Sequence, residues 1–189
     1  MKTAQSVRIL SRLALLAGLT AIAVPAAAQQ VTAETLLDRI QIEDFLTRYY
    51  YDLANGQAHE LSDYFTEDAL LDVDGTVAVG HAEIDALYGA GPSRDGESER
   101  PAYPRGHMLL TNPVIEVHGD TAEAHVIWTG VMNDGVGEAP RLYEQGREDT
   151  ELVKQDGKWL IARRYISSDS GLPDRFDETW EPRGNPLAE

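Results

Sequence analysis

From residue 141 to residue 168 the chain reads RLYEQGREDTELVKQDGKWLIARRYISS, and this stretch decides the fold. Asp156-Gly157 is a tight-turn pair between two segments of strand-like alternation, so it predicts a hairpin of Arg141 to Lys154 with Lys158 to Ser168. Upstream, His107 to His118 and Thr121 to Met132 alternate in the same way about Gly119-Asp120. Four strands in meander result, with a polar, glycine-rich loop, Asn133 to Pro140, between the two hairpins. Further upstream the period changes. Leu36, Leu37, Ile40, Phe45, Leu46, Tyr49, Tyr50 and Leu53 recur close to every 3.6 residues, which predicts a helix with Thr32 as N-cap and Asn55-Gly56 as its stop. A short helix over Ala58 to Phe65, an extended stretch from Asp68 to Val79 turning at Asp74-Gly75, and a third helix from His81 to Tyr88 complete the order. Helices first and antiparallel strands afterwards mean an α+β fold with helices on one face of the sheet.

Lys2, Arg8 and Arg12 precede an apolar run, Leu13 to Val24, and the small residues Pro25-Ala26-Ala27-Ala28. That is the layout of a signal peptide cleaved after Ala28, with an uncleaved anchor as the alternative. The run is shorter than the roughly 20 residues a membrane span needs. The expected division is therefore a leader at residues 1–28, one domain at 29–170, and a proline-bearing surface tail at 171–189, the protein being periplasmic or secreted. The net charge is −16, and losing the leader leaves 13 basic against 32 acidic side chains, or −19. Such a surface repels nucleic acid and anionic lipid, so neither is an expected partner once the leader is gone.

The chain has no cysteine, which excludes thiol catalysis, zinc-thiolate sites and iron–sulfur clusters. It has no G-x-S-x-G elbow and no phosphate-binding loop, and Gly89-Ala90-Gly91 lacks the third glycine of a dinucleotide fingerprint. Asp72-Val73-Asp74-Gly75-Thr76 reads as a turn rather than a calcium loop, and His118 and His125 do not face each other across their hairpin. No metal and no cofactor are expected. The long segment Gly89 to Gly106, rich in Gly, Pro, Ser and charge, is of a length that is either functional or disordered.

Particular residues then carry a resemblance. They are Ile42, Phe45, Arg48, Tyr49, Leu53 and Gly56; Leu61, Tyr64, Phe65, Thr66, Asp68 and Ala69; and Gly106-His107-Met108-Leu109-Leu110-Thr111-Asn112. To these the last strands add Gly146, Arg147, Leu152, Asp156, Gly157, Trp159, Ile161 and Arg164. In this order they resemble the SnoaL-like, or nuclear transport factor 2-like, superfamily, in its scytalone dehydratase and dehydrochlorinase-like branch. The resemblance implies a curved sheet wrapped by N-terminal helices into a cone around one pocket, and homodimers. It also implies a cofactor-independent lyase or isomerase of dehydratase type, acting on a small hydrophobic or aromatic molecule. In such enzymes an aspartate at the end of the first helix orients a histidine that takes a proton from carbon. His107 stands at the histidine position, but Ala54 stands at the aspartate position, with Asp52 two residues earlier.

The resemblance therefore implies His107 and Tyr49 as catalytic residues and Tyr50, Arg147, Arg164 and Trp128 as substrate-binding ones. For the tyrosines a core role, and for the arginines pairing with surface carboxylates, stand as alternatives. A non-catalytic small-molecule-binding protein on the same fold is the other functional reading.

Overall fold

The computed structural model describes residues 31–54, 58–89 and 104–180. The expected leader, residues 90–103 of the long loop and the chain from 181 onward lie outside the described residues. Helix α1 spans Leu36–Ala54. Its cap forms where the sequence placed it: the Thr32 N–H donates to Thr35 Oγ1 at 3.0 Å, and the Thr35 N–H returns a bond to Thr32 Oγ1 at 3.3 Å. Two orphan amides at the helix entrance are thereby answered. Ile42, Leu46, Tyr49 and Tyr50 form its buried face, whereas Leu37 and Ile40 remain exposed. The amphipathic face thus begins a turn later than the apolar spacing implied.

A 3₁₀ turn, Ala58–Tyr64, leads into strands β1 (Phe65–Val73) and β2 (Thr76–Val79), then helix α2 (Gly80–Gly89). Strands β3 (Arg105–His118), β4 (Thr121–Asn133), β5 (Arg141–Gln155) and β6 (Lys158–Ser170) follow. The six strands make one sheet in the order β2-β1-β6-β5-β4-β3. The meander is antiparallel throughout, while β1 lies parallel to β6. The sheet is therefore mixed. Both Asp-Gly turns hold two successive residues at positive φ, Asp74 and Gly75 at 51° and 90°, Asp156 and Gly157 at 50° and 77°. This is the geometry that follows the twist of paired strands and that glycine adopts without strain.

Alternation divides the sheet into two faces. On the inner face, Ile115, Ala124, Val126, Leu152 and Trp159 are buried with Ile42 and Leu46 of α1. Leu71 and Ile161 are buried with Tyr49, Tyr50 and Ile84. Two irregularities shift which residues face inward. In β3 the register slips between Thr111 and Val114, where Asn112 takes a φ of 51°. In β5–β6 it slips between Glu151 and Leu152, so Arg164 shares the inner face with Ile161, three residues away.

Within the expected surface tail, residues 177–180 are exposed and one side chain is buried. A second 3₁₀ turn, Asp174–Phe176, folds back so that Phe176 is only 4 % exposed. Thr179 then lies against the β1–β2 turn, its hydroxyl 3.0 Å from that of Thr76. A Cβ on Gly75 would stand 2.0 Å from the Thr179 carbonyl oxygen. Glycine is required there by contact as well as by φ.

Candidate functional site

A cavity of about 190 Å³ lies between the two helices, the inner face of the sheet and the C-terminal turn. Helix α1 contributes Tyr49, Tyr50 and Leu53, and α2 contributes Leu87 and Tyr88. The sheet supplies Val73, Met108, Trp128, Ile166 and Ser168, the β1–β2 turn Asp74, and the C-terminal turn Pro173 and Phe176. A wider groove of about 420 Å³ runs along another side of α1 past Phe45, Arg48, Tyr64 and Trp159. It is more open to water, and its Arg48 is already paired with Asp44 at 2.7 Å.

The cavity wall is backed by a buried ionic network. Arg164 and Glu148 are both 0 % exposed, with Nη2 and Oε1 3.2 Å apart. Thr150 joins the pair by donating to Glu148 Oε1 at 3.2 Å and accepting from Arg164 Nε at 3.3 Å. The Tyr50 hydroxyl donates to the other oxygen of Glu148. The guanidinium carbon of Arg164 sits 4.1 Å from the centre of the Tyr49 ring, a cation over an aromatic face. Tyr49 and Tyr88 in turn share a hydrogen bond between their hydroxyls. Burial works against the charge of Arg164, but Glu148 and the surrounding phenols more than offset it and hold the group protonated. Burial pushes the phenols of Tyr49, Tyr50 and Tyr88 up; at Tyr49 the nearby Arg164 opposes that rise most directly. These tyrosines therefore act as neutral hydroxyls near neutral pH.

Other polar groups reach the wall from elsewhere. The Asp74 carboxylate accepts from the Ser168 N–H at 2.7 Å and from its hydroxyl at 2.8 Å. Asp72, by contrast, turns its carboxylate to the Gly75 N–H at 2.9 Å, as expected of a turn. Trp128 is 5 % exposed, and its indole N–H has no hydrogen-bond acceptor among the described residues. The indole can lie against β5 only because residue 146 is glycine: a Cβ there would come within 2.3 Å of Trp128 Cζ2.

Of the residues singled out from sequence, Tyr49, Tyr50 and Trp128 line the cavity and Arg164 lies directly behind Tyr49. His107 and Arg147 do not join them. Met108 faces the cavity, so alternation puts its neighbour His107 on the outer face, where it is exposed opposite Val131. Arg147 is on the outer face too and pairs with Asp169 at 3.1 Å. His125 also points outward, its Nδ1 2.7 Å from Asp149. Asp52 accepts the Tyr64 hydroxyl. Among the described residues no histidine lines the cavity.

Sequence reasoning passed over Tyr88, Asp74, Ser168, Glu148 and Phe176. Glu148 alone carried a usable signal, since it alternates in phase with Leu152, an apolar inner-face position. No group of three or more potential metal ligands occurs among the described residues.

The SnoaL-like domain family matches residues 34–165. No curated protein matches the chain. Among solved structures, it is similar to a variant of Rv3472, a protein of unknown function from Mycobacterium tuberculosis. That likeness is at 25% identity and a TM-score of 0.59, over 72% of this chain and 74% of the other. It is also similar to an NTF2-like protein with a cystatin-like fold from Novosphingobium aromaticivorans, at 24% identity and a TM-score of 0.57 over 74% and 86% of the two chains. A candidate scytalone dehydratase from the same organism gives 19% identity and a TM-score of 0.60 over 84% and 99%. At the two lower identities the likeness is one of fold.

Proposed function

The chain belongs to the SnoaL-like domain family, and we propose that it binds a small, largely apolar molecule in the tyrosine-lined cavity, outside the cytoplasm. The observation that carries this reading is the cavity itself. Its walls are apolar apart from a few converging hydroxyls, one indole N–H and two carboxylates, the composition of a ligand site. Export follows from the leader-like first 28 residues. Leu109 and Val114 are exposed large apolar side chains on the outer face of β3. Pairing of two copies across that face gives the homodimer that the family resemblance implies.

One experiment addresses all three parts: native mass spectrometry of the protein purified from its own producing cells. The expected result is a dimer of chains beginning at Gln29 with a retained organic molecule of low mass. Repeated isolation of an empty protein that also fails to take up any member of a small aromatic library refutes the ligand reading. A chain beginning at Met1 refutes export by cleavage, and a monomeric mass refutes the dimer.

A second reading, a cofactor-independent lyase or isomerase, is favoured by Asp74, which brings a carboxylate to the same cavity as the phenols. An acceptor and hydroxyl donors around one bound molecule are what proton transfer from carbon requires. In that reading Asp74 takes the proton, and His107, on the outer face, does not. Turnover of the isolated ligand that survives Asp74→Asn unchanged refutes it.

A further inference from the structure

We infer that the Tyr88 hydroxyl is the hydrogen-bond donor this cavity presents to its ligand, and that the ligand is a neutral, single-ring carbonyl compound. The inference rests on the reading of the cavity as a ligand site. It begins with a count of protons. The hydroxyls of Tyr49 and Tyr88 face each other and share one hydrogen bond, so of their two protons one must point elsewhere. Arg164 decides which. Its cation lies over the Tyr49 ring at 4.1 Å, draws electron density away from the Tyr49 hydroxyl, and so makes Tyr49 the better donor of the two. Tyr88 accepts, and its own proton is left over. Both rings line the cavity, but Tyr49 is wholly buried whereas Tyr88 is half-buried, so the remaining proton belongs to the more accessible ring.

The rest of the wall has the same bias. Trp128, in the same wall, buries an indole N–H that has no acceptor among the described residues. The Asp74 carboxylate is already engaged, receiving two bonds from Ser168. Donors without acceptors call for a ligand oxygen that accepts. The charge balance calls for a neutral one. Asp74 and Glu144 stand in the wall, and the cation behind it is matched by Glu148, so a carboxylate or phosphate would meet net repulsion. Size sets the last limit. A cavity of about 190 Å³ is somewhat larger than the roughly 150 Å³ engineered cavity that holds benzene. That matches one ring with a short substituent.

The test uses acetophenone and cumene, two single-ring probes of nearly equal shape, of which only the first has an acceptor oxygen. Binding of each to the full chain and to its Tyr88→Phe and Tyr49→Phe variants is measured by calorimetry. The carbonyl ¹³C shift of labelled acetophenone reports hydrogen bonding to its oxygen. In the wild type the carbonyl is expected to move downfield of its position in an apolar solvent. In Tyr88→Phe that displacement disappears and acetophenone affinity falls about 5- to 10-fold, the worth of one neutral hydrogen bond. Cumene affinity stays within about two-fold, which also shows that the variant keeps its cavity. Tyr49→Phe retains a smaller downfield displacement. An unchanged carbonyl shift in Tyr88→Phe, or its loss in Tyr49→Phe alone, overturns the assignment of Tyr88. Binding of cumene without acetophenone overturns the carbonyl ligand and leaves the cavity reading standing; binding of neither overturns both.

Discussion

Replacing Glu148 by glutamine should destabilise this protein more than any surface change. Glutamine keeps the shape of the side chain and a carbonyl oxygen for one of the two hydroxyls that donate to it, Tyr50 on Oε2 or Thr150 on Oε1, so what is removed is the charge and one acceptor. Arg164, at 0 % exposed, is then left as a buried cation with no counter-ion. Breaking a buried pair from one side costs about 3–5 kcal/mol, because the remaining charge is paid for by nothing. Against a typical total of about 5–15 kcal/mol, that loss brings the variant close to unfolding. The assay is urea denaturation followed by far-ultraviolet circular dichroism. With a slope of about 2 kcal/mol per molar urea, the midpoint should fall by about 1.5–2.5 M. The second arm removes both charges, as Glu148→Gln with Arg164→Met, and should recover much of the loss, since a buried pair replaced by uncharged side chains is often nearly neutral. A single variant within about 1 kcal/mol of wild type would refute the reasoning, because water would then be solvating Arg164.

Gly146→Ala should cost about 1–3 kcal/mol by overpacking, since its Cβ would meet both Trp128 Cζ2 and the Ser167 carbonyl oxygen at 2.3 Å; calorimetric melting measures this, with a change in tryptophan emission. Phe176→Ala should open the cavity and lower stability by less than the roughly 3–5 kcal/mol of a central Phe→Ala change, because the lost contact is with a terminal turn. Its signature is faster ligand release with small change in far-ultraviolet signal. At alkaline pH the raised phenols of Tyr49, Tyr50 and Tyr88 favour the folded state only while the unfolded chain also keeps its tyrosines protonated. Stability should therefore be fully present below about pH 10, the ordinary tyrosine value, and decline above it. Absorbance at 295 nm should show at least three tyrosines failing to ionise near the ordinary value until the chain unfolds; free titration of all of them there would refute the burial.

The β1–β2 and β5–β6 turns were legible because Asp-Gly pairs at 74–75 and 156–157 impose one backbone geometry wherever they occur between alternating runs. The parallel contact of β1 with β6 was not, since nothing in Phe65–Val73 names its partner. Side-chain facing followed the same division. Trp128 and Tyr49 lay in unbroken periodic runs, and both reached the cavity. Arg164 came after a register slip that alternation alone would have resolved the other way, putting Arg163 inward. His107 was a motif match, and motifs locate a residue along a strand without fixing its face; Met108 took the inward place. Asp74 and Ser168 could not be paired from sequence because their contact joins a turn to a strand nearly a hundred residues later.

That separation also bears on how the molecule comes into being. The cavity takes one wall from α1 and another from the C-terminal turn, and Phe65 finds its strand partner only at Ile161. Contacts so distant in the chain form late, after the cost of closing a long loop has been met. On the proposed reading of the cavity as a ligand site, a nascent or truncated chain therefore holds no ligand, whatever local structure it has gained. A molecule that binds only the completed fold adds about 2.7 kcal/mol to its stability at a hundred times the dissociation constant. Occupancy thus becomes a reporter of maturation: in a pulse-chase, the appearance of bound ligand should mark the moment when the last strand has docked.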